Sequence, residues 1–278
     1  MTDKINIGIL GADGRMGGAI LRVLDSLPHA QLSVALTAPT SPHLGIDAAE
    51  HAGLKPIGVV LSSDIRAGLD ACDVLIDFSH PKPAIDAALA MHETRCHTLV
   101  TGTTGYTEAE EKALLAAGEN ITLLRSGNFS LGVNMLEALV EMAAARLEER
   151  DWDIEVLEMH HRHKIDAPSG TALMLGEAAA KGRGVDLKEK QVLSREGRGM
   201  PRVAGQIGFA ALRGGGVIGE HAVSLTSELE QIRLEHTAFD RSVFAQGAVT
   251  AALWAAKQPT GLYDMKDVLG LKLSLIHI

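Results

Sequence analysis

The sequence predicts an α/β fold in which a parallel sheet, with helices between its strands, is joined to a second domain of the α+β class. From Lys4 to Thr101, short apolar runs rich in β-branched residues alternate with helix-length amphipathic stretches, which is typical of βαβ units. After Ser130, strand-like runs follow one another with little helix between them, which favours an antiparallel or mixed sheet. At 278 residues the chain is long enough for two domains.

The first part of the chain predicts alternating strands and helices in order. The helices are expected at Met16–Leu27, Ala84–His92 and Glu108–Ala117, and Thr107 with Glu110 forms a capping box for the last of them. The strand cores are expected at Ile5–Leu10, Leu32–Leu36, Ile57–Leu61, Val74–Phe78, Leu99–Val100 and Ile121–Leu124.

The second part of the chain changes its pattern after Ser130. We expect helices at Val133–Leu147, from Ser169 to about Lys181, and at Arg241–Lys257, with a polar loop over 182–204. The strands are expected at Ile154–Met159, Gln206–Leu212, Val217–Leu225 and Ile232–His236. The apolar tail 272–278 has no cap or turn signal and takes no part in the predicted fold.

Composition restricts the possible partners and location. The formal net charge of −9 argues against nucleic acid as a partner but leaves room for a local cationic pocket. No apolar run approaches the ~18 residues that span a bilayer, and the first residues lack a signal-peptide pattern, so we expect a cytoplasmic protein without a membrane partner. Cys72 and Cys96 lack the spacing of a zinc or redox motif and are interpreted as small buried hydrophobic residues.

Three glycines stand where the first strand gives way to the first helix. Gly11, Gly14 and Gly17 permit a tight turn with a pyrophosphate at the helix N-terminus, which indicates a dinucleotide site; the alternative is an ordinary βα turn. The pattern is G-x-x-G-x-x-G, because Asp13 replaces the usual second glycine. At the end of the second strand, Thr37-Ala38-Pro39 offers neither a carboxylate for NAD nor an arginine for NADP, so the cofactor form stays open.

Two further loops follow predicted strands of the same sheet. They are 102–105, Gly-Thr-Thr-Gly, and 126–130, Ser-Gly-Asn-Phe-Ser. Ligands of open α/β sheets bind outside the carboxyl ends of the strands, so small polar loops there are expected to line a cofactor crevice. Plain turn chemistry is the alternative for either loop.

A cluster of basic side chains, 160–164, precedes the helix start at Ser169. If 154–161 is a strand, His160 and His161 point to opposite faces and cannot share one role. A zinc site is disfavoured because adjacent histidines diverge on a strand, and a solvated charged face is a second alternative. The favoured interpretation is a site that donates protons and binds an anion, with Ser169 as the helix N-cap and Gly170 and Thr171 facing a carboxylate.

Several of these segments together resemble the 4-hydroxy-tetrahydrodipicolinate reductase (dihydrodipicolinate reductase) family. The similar segments, over residues 4 to about 270, are 11–17, 102–105, 128–130, 158–172 and 219–221. The resemblance implies a Rossmann-type nucleotide-binding domain, 1–130 plus 241–278, with an inserted α+β substrate and tetramerisation domain, 131–240, in a homotetramer. It implies reduction of 4-hydroxy-tetrahydrodipicolinate to tetrahydrodipicolinate, with loss of water, by NADH and/or NADPH in lysine and diaminopimelate biosynthesis.

The resemblance also implies roles for individual residues. His160 and Lys164 would donate protons, and His161, Gly170 and Thr171 would bind the small dicarboxylate substrate. No metal is implied. Some members carry Glu-Arg where Thr37-Ala38 stand, so the preferred cofactor does not carry over. The cofactor would be lined by Gly11, Ala12, Asp13, Gly14, Arg15, Met16, Thr37, Gly102, Thr103, Thr104, Ser126, Gly127, Asn128 and Phe129.

Two other functions remain as alternatives. Another nicotinamide-dependent dehydrogenase is possible, but one acting on aldehydes needs a cysteine nucleophile facing the nicotinamide, and the positions of Cys72 and Cys96 disfavour it. A non-catalytic nucleotide sensor would have no use for the proton-donating groups at 160–164.

Overall fold

The computed structural model describes residues 4–199 and 201–271, and the chain divides into two compact units. The first unit runs to Ser130 and resumes at Ser242, and the second spans Leu131–Arg241. The tail 272–278 lies outside the described residues. No helix in the described ranges is long and apolar enough to cross a membrane.

The first unit is built on a seven-stranded sheet in which every pair of neighbours is parallel. The central strands are short runs of Ile, Leu and Val that are mostly buried, as expected for a parallel sheet covered on both faces. The strands are β1 Ile5–Leu10, β2 Ala30–Leu36, β3 Leu61–Ser62, β4 Val74–Asp77, β5 Thr98–Thr101, β6 Thr122–Arg125 and β12 Gly261–Tyr263.

The strand order is β12-β6-β5-β4-β1-β2-β3, which contains the doubly wound Rossmann order. The order reverses between β1 and β4, so a ligand crevice is expected at the carboxyl ends of these two strands. The helices are α1 Arg15–Asp25, α2 Ala48–His51, α3 Ile65–Asp70, α4 Pro81–Ala90, a 3-10 turn Met91–Glu93, α5 Glu108–Gly118, α9 Ser242–Ala255 and α10 Met265–Val268. The predicted capping box of Thr107 and Glu110 is present.

The second unit contains five strands and three helices. The strands are β7 Asp153–His160, β8 Gln191–Val192, β9 Ile207–Arg213, β10 Gly219–Thr226 and β11 Gln231–Ala238; the helices are α6 Leu131–Ala144, α7 Gly170–Arg183 and α8 Leu187–Lys190. The strands form a mixed sheet in the order β11-β10-β7-β9-β8. The hydrophobic core of the unit lies between this sheet and the helices α6 and α7, which contribute Val140 and Leu175 among others.

The predicted strand at Ile57–Leu61 is wrong over most of its length. The Asp47 carboxylate accepts hydrogen bonds from the Ile57 and Gly58 backbone N–H groups at 3.1 and 2.7 Å. Gly58 also has a φ of +82°, which a β-strand does not allow. The carboxylate therefore holds this segment as a loop, and only Leu61 and Ser62 join the sheet. The short α3 and the edge strand β12 were not predicted.

Candidate active site

The turn between β1 and α1 accepts only glycine at two positions. Gly11 has a φ of +82°, and a Cβ there would lie 2.6 Å from the carbonyl oxygen of Phe78. A Cβ on Gly17 would lie 2.5 Å from the carbonyl oxygens of both Gly11 and Ala12. Helix α1 begins after Gly14 with no side-chain cap, so its first N–H groups face outward for an anion. The glycine turn therefore has the form that a pyrophosphate requires.

A cavity of about 580 Å³ opens beside this turn. Four predicted cofactor residues line it: Gly11, Asp13, Gly14 and Thr37. The buried Thr37 Oγ1 makes no hydrogen bond of good geometry among the described residues, although its hydroxyl is near enough to the Asp13 carboxylate to interact with it, and a ribose hydroxyl can supply a partner. The volume and lining suit the adenosine half of a dinucleotide. The other lining residues are Leu10, Ala38, Pro39, Ser63, Ile65, Phe78, Ser79, His80, Lys82, Pro83 and Asp86.

Asp13 is held at the edge of this cavity by the segment that follows β2. Its Oδ2 accepts a hydrogen bond of 2.6 Å from the Ser41 hydroxyl. Its backbone oxygen lies 3.1 Å from His51 Nε2, and the ring of His51 packs against that of His43 with centroids 4.3 Å apart. Asp13 therefore connects the glycine turn to the segment that follows β2.

A buried carboxylate joins the loops after β4 and β5. Asp77 is fully buried and accepts a 2.6 Å hydrogen bond from Thr101 Oγ1 and a 3.0 Å bond from the Ser79 N–H. The same N–H also lies 3.0 Å from Thr103 Oγ1. Burial raises the pKa of Asp77 against the opposing effect of these hydrogen bonds. The network fixes both loops at the carboxyl edge of the sheet.

The loop after β4 was missed at the sequence level, although 78–80 lines the cavity. The position of this loop could have been used to predict it, because the loop follows a predicted strand that lies next to β1. The ring of Phe78 packs edge to face against that of Phe129, with centroids 5.4 Å apart, and its C atoms leave no room for a Cβ on Gly102. The cavity lining does not include the other predicted cofactor residues, which are Ala12, Arg15, Met16, Gly102, Thr103, Thr104, Ser126, Gly127, Asn128 and Phe129.

In the second unit, β7 ends at His160 on the face that packs against the helices. Alternate residues of β7 are buried, so Glu158 and His160 lie on the same face. His160 Nδ1 lies 2.6 Å from Glu158 Oε2. His160 Nε2 faces Gly219, where an added Cβ would lie 3.2 Å away. The ring is therefore held by one nitrogen, and the absence of a side chain at 219 leaves space beside the other.

The Glu158 carboxylate has further partners from two other elements. Arg213 at the end of β9 donates to both of its oxygens, at 2.7 and 2.8 Å, and the Ser169 N–H donates at 3.0 Å. Burial opposes ionisation of Glu158, but the hydrogen bonds from Arg213 and His160 outweigh it and lower the pKa of the carboxyl. Glu158 is therefore an anion at neutral pH.

His221 of β10 is a second buried histidine of this site. Its Nε2 lies 3.2 Å from Ser169 Oγ, and its ring meets that of His160 edge to face. Burial, followed by electrostatic interaction with His160, lowers the pKa of His221 to about 4. His221 is therefore neutral at neutral pH. Neither its position nor the contribution of Arg213 was predicted, although 219–221 belongs to a segment singled out in the sequence.

The basic turn after β7 holds His161 and Lys164 outside the strand. The Lys164 N–H donates to the His161 carbonyl at 3.1 Å, and Lys164 Nζ pairs with Asp166 Oδ2 at 2.9 Å. Desolvation and the nearby positive charges of Arg241 and His163 lower the pKa of His161. A neutral ring suits hydrogen bonding to a ligand, whereas Lys164 has a carboxylate partner in the same turn.

Helix α7 begins directly behind this turn. The Ser169 side chain caps it by accepting a 3.2 Å hydrogen bond from the Ala172 N–H, as the sequence predicts. Nothing lies within 4 Å of the position that a Cβ on Gly170 would take, so the helix N-terminus is open at that point. Basic side chains and an open helix start suit a dicarboxylate. Among the described residues, no group of three or more His, Cys, Asp or Glu could hold a metal ion.

Comparison with known proteins finds the same family along nearly the whole chain. Residues 5–129 match the family model described as Dihydrodipicolinate reductase, N-terminus, and residues 132–269 match Dihydrodipicolinate reductase, C-terminus. The 4-hydroxy-tetrahydrodipicolinate reductase of Allorhizobium ampelinum is 52% identical over 95% of this chain and 97% of its own length. The 4-hydroxy-tetrahydrodipicolinate reductase of Rhizobium rhizogenes is 49% identical over 97% of this chain and 98% of its own length.

Solved structures are also similar in fold. Among them is the dipicolinate-bound dihydrodipicolinate reductase from Paenisporosarcina sp. TG-14, with a TM-score of 0.75 over 94% of this chain and 97% of that one. The two sequences are 22% identical, so this likeness concerns the fold alone.

Proposed function

The chain belongs to the dihydrodipicolinate reductase family, and on this premise we propose how its own residues carry out the reaction. The protein is an oxidoreductase of lysine and diaminopimelate biosynthesis that uses a nicotinamide cofactor to reduce 4-hydroxy-tetrahydrodipicolinate to tetrahydrodipicolinate, with loss of water. The proposals below concern the residues, the cofactor form, the assembly and the location.

The substrate carboxylates bind at the N-terminus of α7 and in the basic turn before it. His161 and the N–H groups of Gly170 and Thr171 contact the dicarboxylate, and the charge of Lys164 lies in the same turn. The support is the open helix start at Gly170 and the neutral state of His161. The dipicolinate in the Paenisporosarcina enzyme is a ring dicarboxylate of comparable chemistry.

His160 and Lys164 donate the protons of the reaction. A nicotinamide dinucleotide, when bound, would supply a hydride to the conjugated cyclic imine that remains after the substrate hydroxyl has left as water, and electron density would build on that ring. An acid beside the ring must protonate it as that density develops. The observation that carries the proposal is His160, which is bonded through Nδ1 to Glu158 and has its Nε2 beside a glycine. Lys164 adds a second proton donor and offsets the negative charge of the substrate.

Both NADH and NADPH serve as cofactor. The end of β2 carries Thr37 in place of a carboxylate, so β2 itself places no negative charge against a 2′-phosphate. The hydroxyl of Thr37 can bond to a ribose hydroxyl or to a phosphate oxygen. The same cavity contains the carboxylate of Asp13, which interacts with the Thr37 hydroxyl, and Lys82, whose Nζ pairs with Asp86 Oδ2 at 2.7 Å. We therefore expect kcat/KM values for the two cofactors within about tenfold of each other.

The protein forms a homotetramer through the face of the second sheet that the helices leave uncovered. Leu157, Met159, Ala210 and Leu212 share that face by strand register, and Leu212 is 57% exposed. An apolar patch of this kind favours association between copies. Light scattering after size-exclusion chromatography tests the assembly, and a monomeric mass would contradict it.

We also place the enzyme in the cytoplasm, in keeping with two free, buried cysteines, and cell fractionation tests that location.

The activity is tested by following the oxidation of NADH and of NADPH by the purified protein with freshly generated 4-hydroxy-tetrahydrodipicolinate. Substrate-dependent oxidation supports the function. Oxidation only with a semialdehyde or an amino or keto acid would favour another dehydrogenase. Nucleotide binding without oxidation of either cofactor would favour a sensor.

A further inference from the structure

The carboxylate of Glu158 is buried and every one of its acceptor positions is used. Its side chain is 1% exposed. Oε2 receives His160 Nδ1 at 2.6 Å and Arg213 at 2.7 Å, while Oε1 receives the Ser169 N–H at 3.0 Å and Arg213 at 2.8 Å. The donors come from β7, from β9 and from the residue that caps α7. One anion thus connects the proposed proton donor to the helix that is proposed to bind substrate.

A carboxylate cannot donate a hydrogen bond, so the direction of the bond to His160 is fixed. Nδ1 must carry the proton whenever it bonds to Glu158. Nε2 is then the nitrogen that gains and loses the proton during the reaction, and it is also the nitrogen that lies beside Gly219. The opposite tautomer would hold the proton on Nε2 in a neutral ring, which is a far weaker acid than the protonated ring.

The other groups near the ring do not replace this carboxylate. His221 presents its ring to that of His160 with centroids 5.0 Å apart and is neutral at neutral pH. Arg213 reaches Glu158 and donates a second bond of 2.6 Å to the carbonyl oxygen of Asp166. Arg213 therefore fixes the carboxylate between β9 and the basic turn, so that Glu158 stays in place when the ring changes charge.

We propose that Glu158, fixed by Arg213, is a positioning residue that holds His160 with its proton on Nδ1 and its Nε2 free to deliver a proton to the substrate. The inference rests on the proposed role of His160 as proton donor. Glu158 does not touch the substrate in this account. It acts through the imidazole by selecting the tautomer and by stabilising the protonated ring, as the buried carboxylate does in a Ser-His-Asp triad.

The first test is a double-mutant cycle on kcat with Glu158→Gln, His160→Gln and the double variant. The amide introduced by Glu158→Gln can donate to Nδ1 and so permits the wrong tautomer. We expect kcat to fall about 10² to 10⁴-fold in Glu158→Gln, with the KM for substrate and the Kd for NADPH changed less than about threefold. In the His160→Gln background the same change should lower kcat by less than about threefold, because the group through which Glu158 acts is gone.

Asp73→Asn is the matched control. The Asp73 carboxylate also pairs with an arginine, Arg95, at 3.0 Å and accepts a backbone N–H, that of Asn6, at 2.8 Å, but it precedes β4 in the first unit and lies outside the proposed sites. Asp73→Asn should lose bonds of the same kinds and keep wild-type kcat. Normal kcat in Glu158→Gln, or a Glu158→Gln effect that is as large without His160 as with it, would overturn the proposal.

A second measurement uses the wild-type protein and so does not depend on whether the variants fold. Solid-state NMR of protein labelled with [¹⁵N]histidine reports which ring nitrogen is protonated. Labelling the glutamate carboxyl groups with ¹³C assigns the signal of His160, because its Nδ1 lies 2.6 Å from Glu158 Oε2. We expect Nδ1 to carry the proton in the neutral ring of His160, and a proton on Nε2 would overturn the proposal. Absence of substrate-dependent turnover in the wild type would contradict the proposed function instead, and the NMR result would still decide the tautomer.

Discussion

The imidazole rings of His160 and His221 meet edge to face, with centroids 5.0 Å apart and planes inclined by 74°. Both side chains are almost wholly buried. Two positive rings this close would repel, and burial would add to the cost. The site therefore holds His221 neutral, with a pKa of about 4, beside a histidine that is proposed to carry a proton.

The stability of the protein should fall in mild acid because of His221. Its pKa is about 4 in the folded protein and 6.5 in the unfolded chain, so the neutral ring contributes stability in full above pH 6.5. That contribution is lost as the pH falls from about 6.5 to about 4, up to ~3 kcal/mol. His221→Gln should flatten the pH dependence of the free energy of unfolding in urea over this range. His221→Asn should do the same, and an unchanged slope in both variants would contradict the low pKa.

Substitution by alanine should have opposite effects on stability at two neighbouring glycines of α1. A Cβ on Gly17 would lie 2.5 Å from two carbonyl oxygens, whereas a Cβ on Gly18 meets nothing closer than 3.5 Å. We expect Gly17→Ala to cost ~1–3 kcal/mol of unfolding free energy and to weaken NADPH binding. Gly18→Ala should be neutral or stabilising by up to ~1 kcal/mol, because alanine is the better helix former. Thermal unfolding measures the change in stability, and calorimetric titration with NADPH measures the change in binding. Equal effects of Gly17→Ala and Gly18→Ala would contradict the geometry of the turn.

The parts that sequence predicts best are set by local pattern. The glycine turn and the Ser169 cap depend on residues a few positions apart, and the alternation of β7 already places Glu158 and His160 on one face. Arg213 could not be placed, because its position beside His160 depends on the register of β7 against β9, two strands far apart in sequence. The loop at Ile57 was missed because the Asp47 side chain replaces the strand's backbone partners there.

A substitution in the proposed cofactor cavity should change the preference between NADH and NADPH. Thr37→Glu places a carboxylate at the end of β2, where it can accept hydrogen bonds from both ribose hydroxyls and repel a 2′-phosphate. We expect the ratio of kcat/KM for NADH to that for NADPH to rise about tenfold or more. Thr37→Gln has a similar size without the charge and should shift the ratio much less. An unchanged ratio in Thr37→Glu would mean that the 2′-position of the bound cofactor does not lie beside residue 37.

Lys164 should affect turnover without affecting nucleotide binding. Its Nζ pairs with Asp166 at 2.9 Å and its side chain is 21% exposed, so the charge is positioned but accessible. Lys164→Ala removes a proposed proton donor and a charge that offsets the dicarboxylate, and we expect kcat/KM for the substrate to fall by about 10² or more. The Kd for NADPH should stay within about twofold, since every residue of the proposed cofactor cavity belongs to the other unit. Lys181→Ala, which removes an exposed lysine of α7 that pairs with Glu141 of α6, is the matched control and should keep wild-type kinetics. Normal kcat/KM in Lys164→Ala would remove Lys164 from the mechanism and leave His160 as the proposed donor.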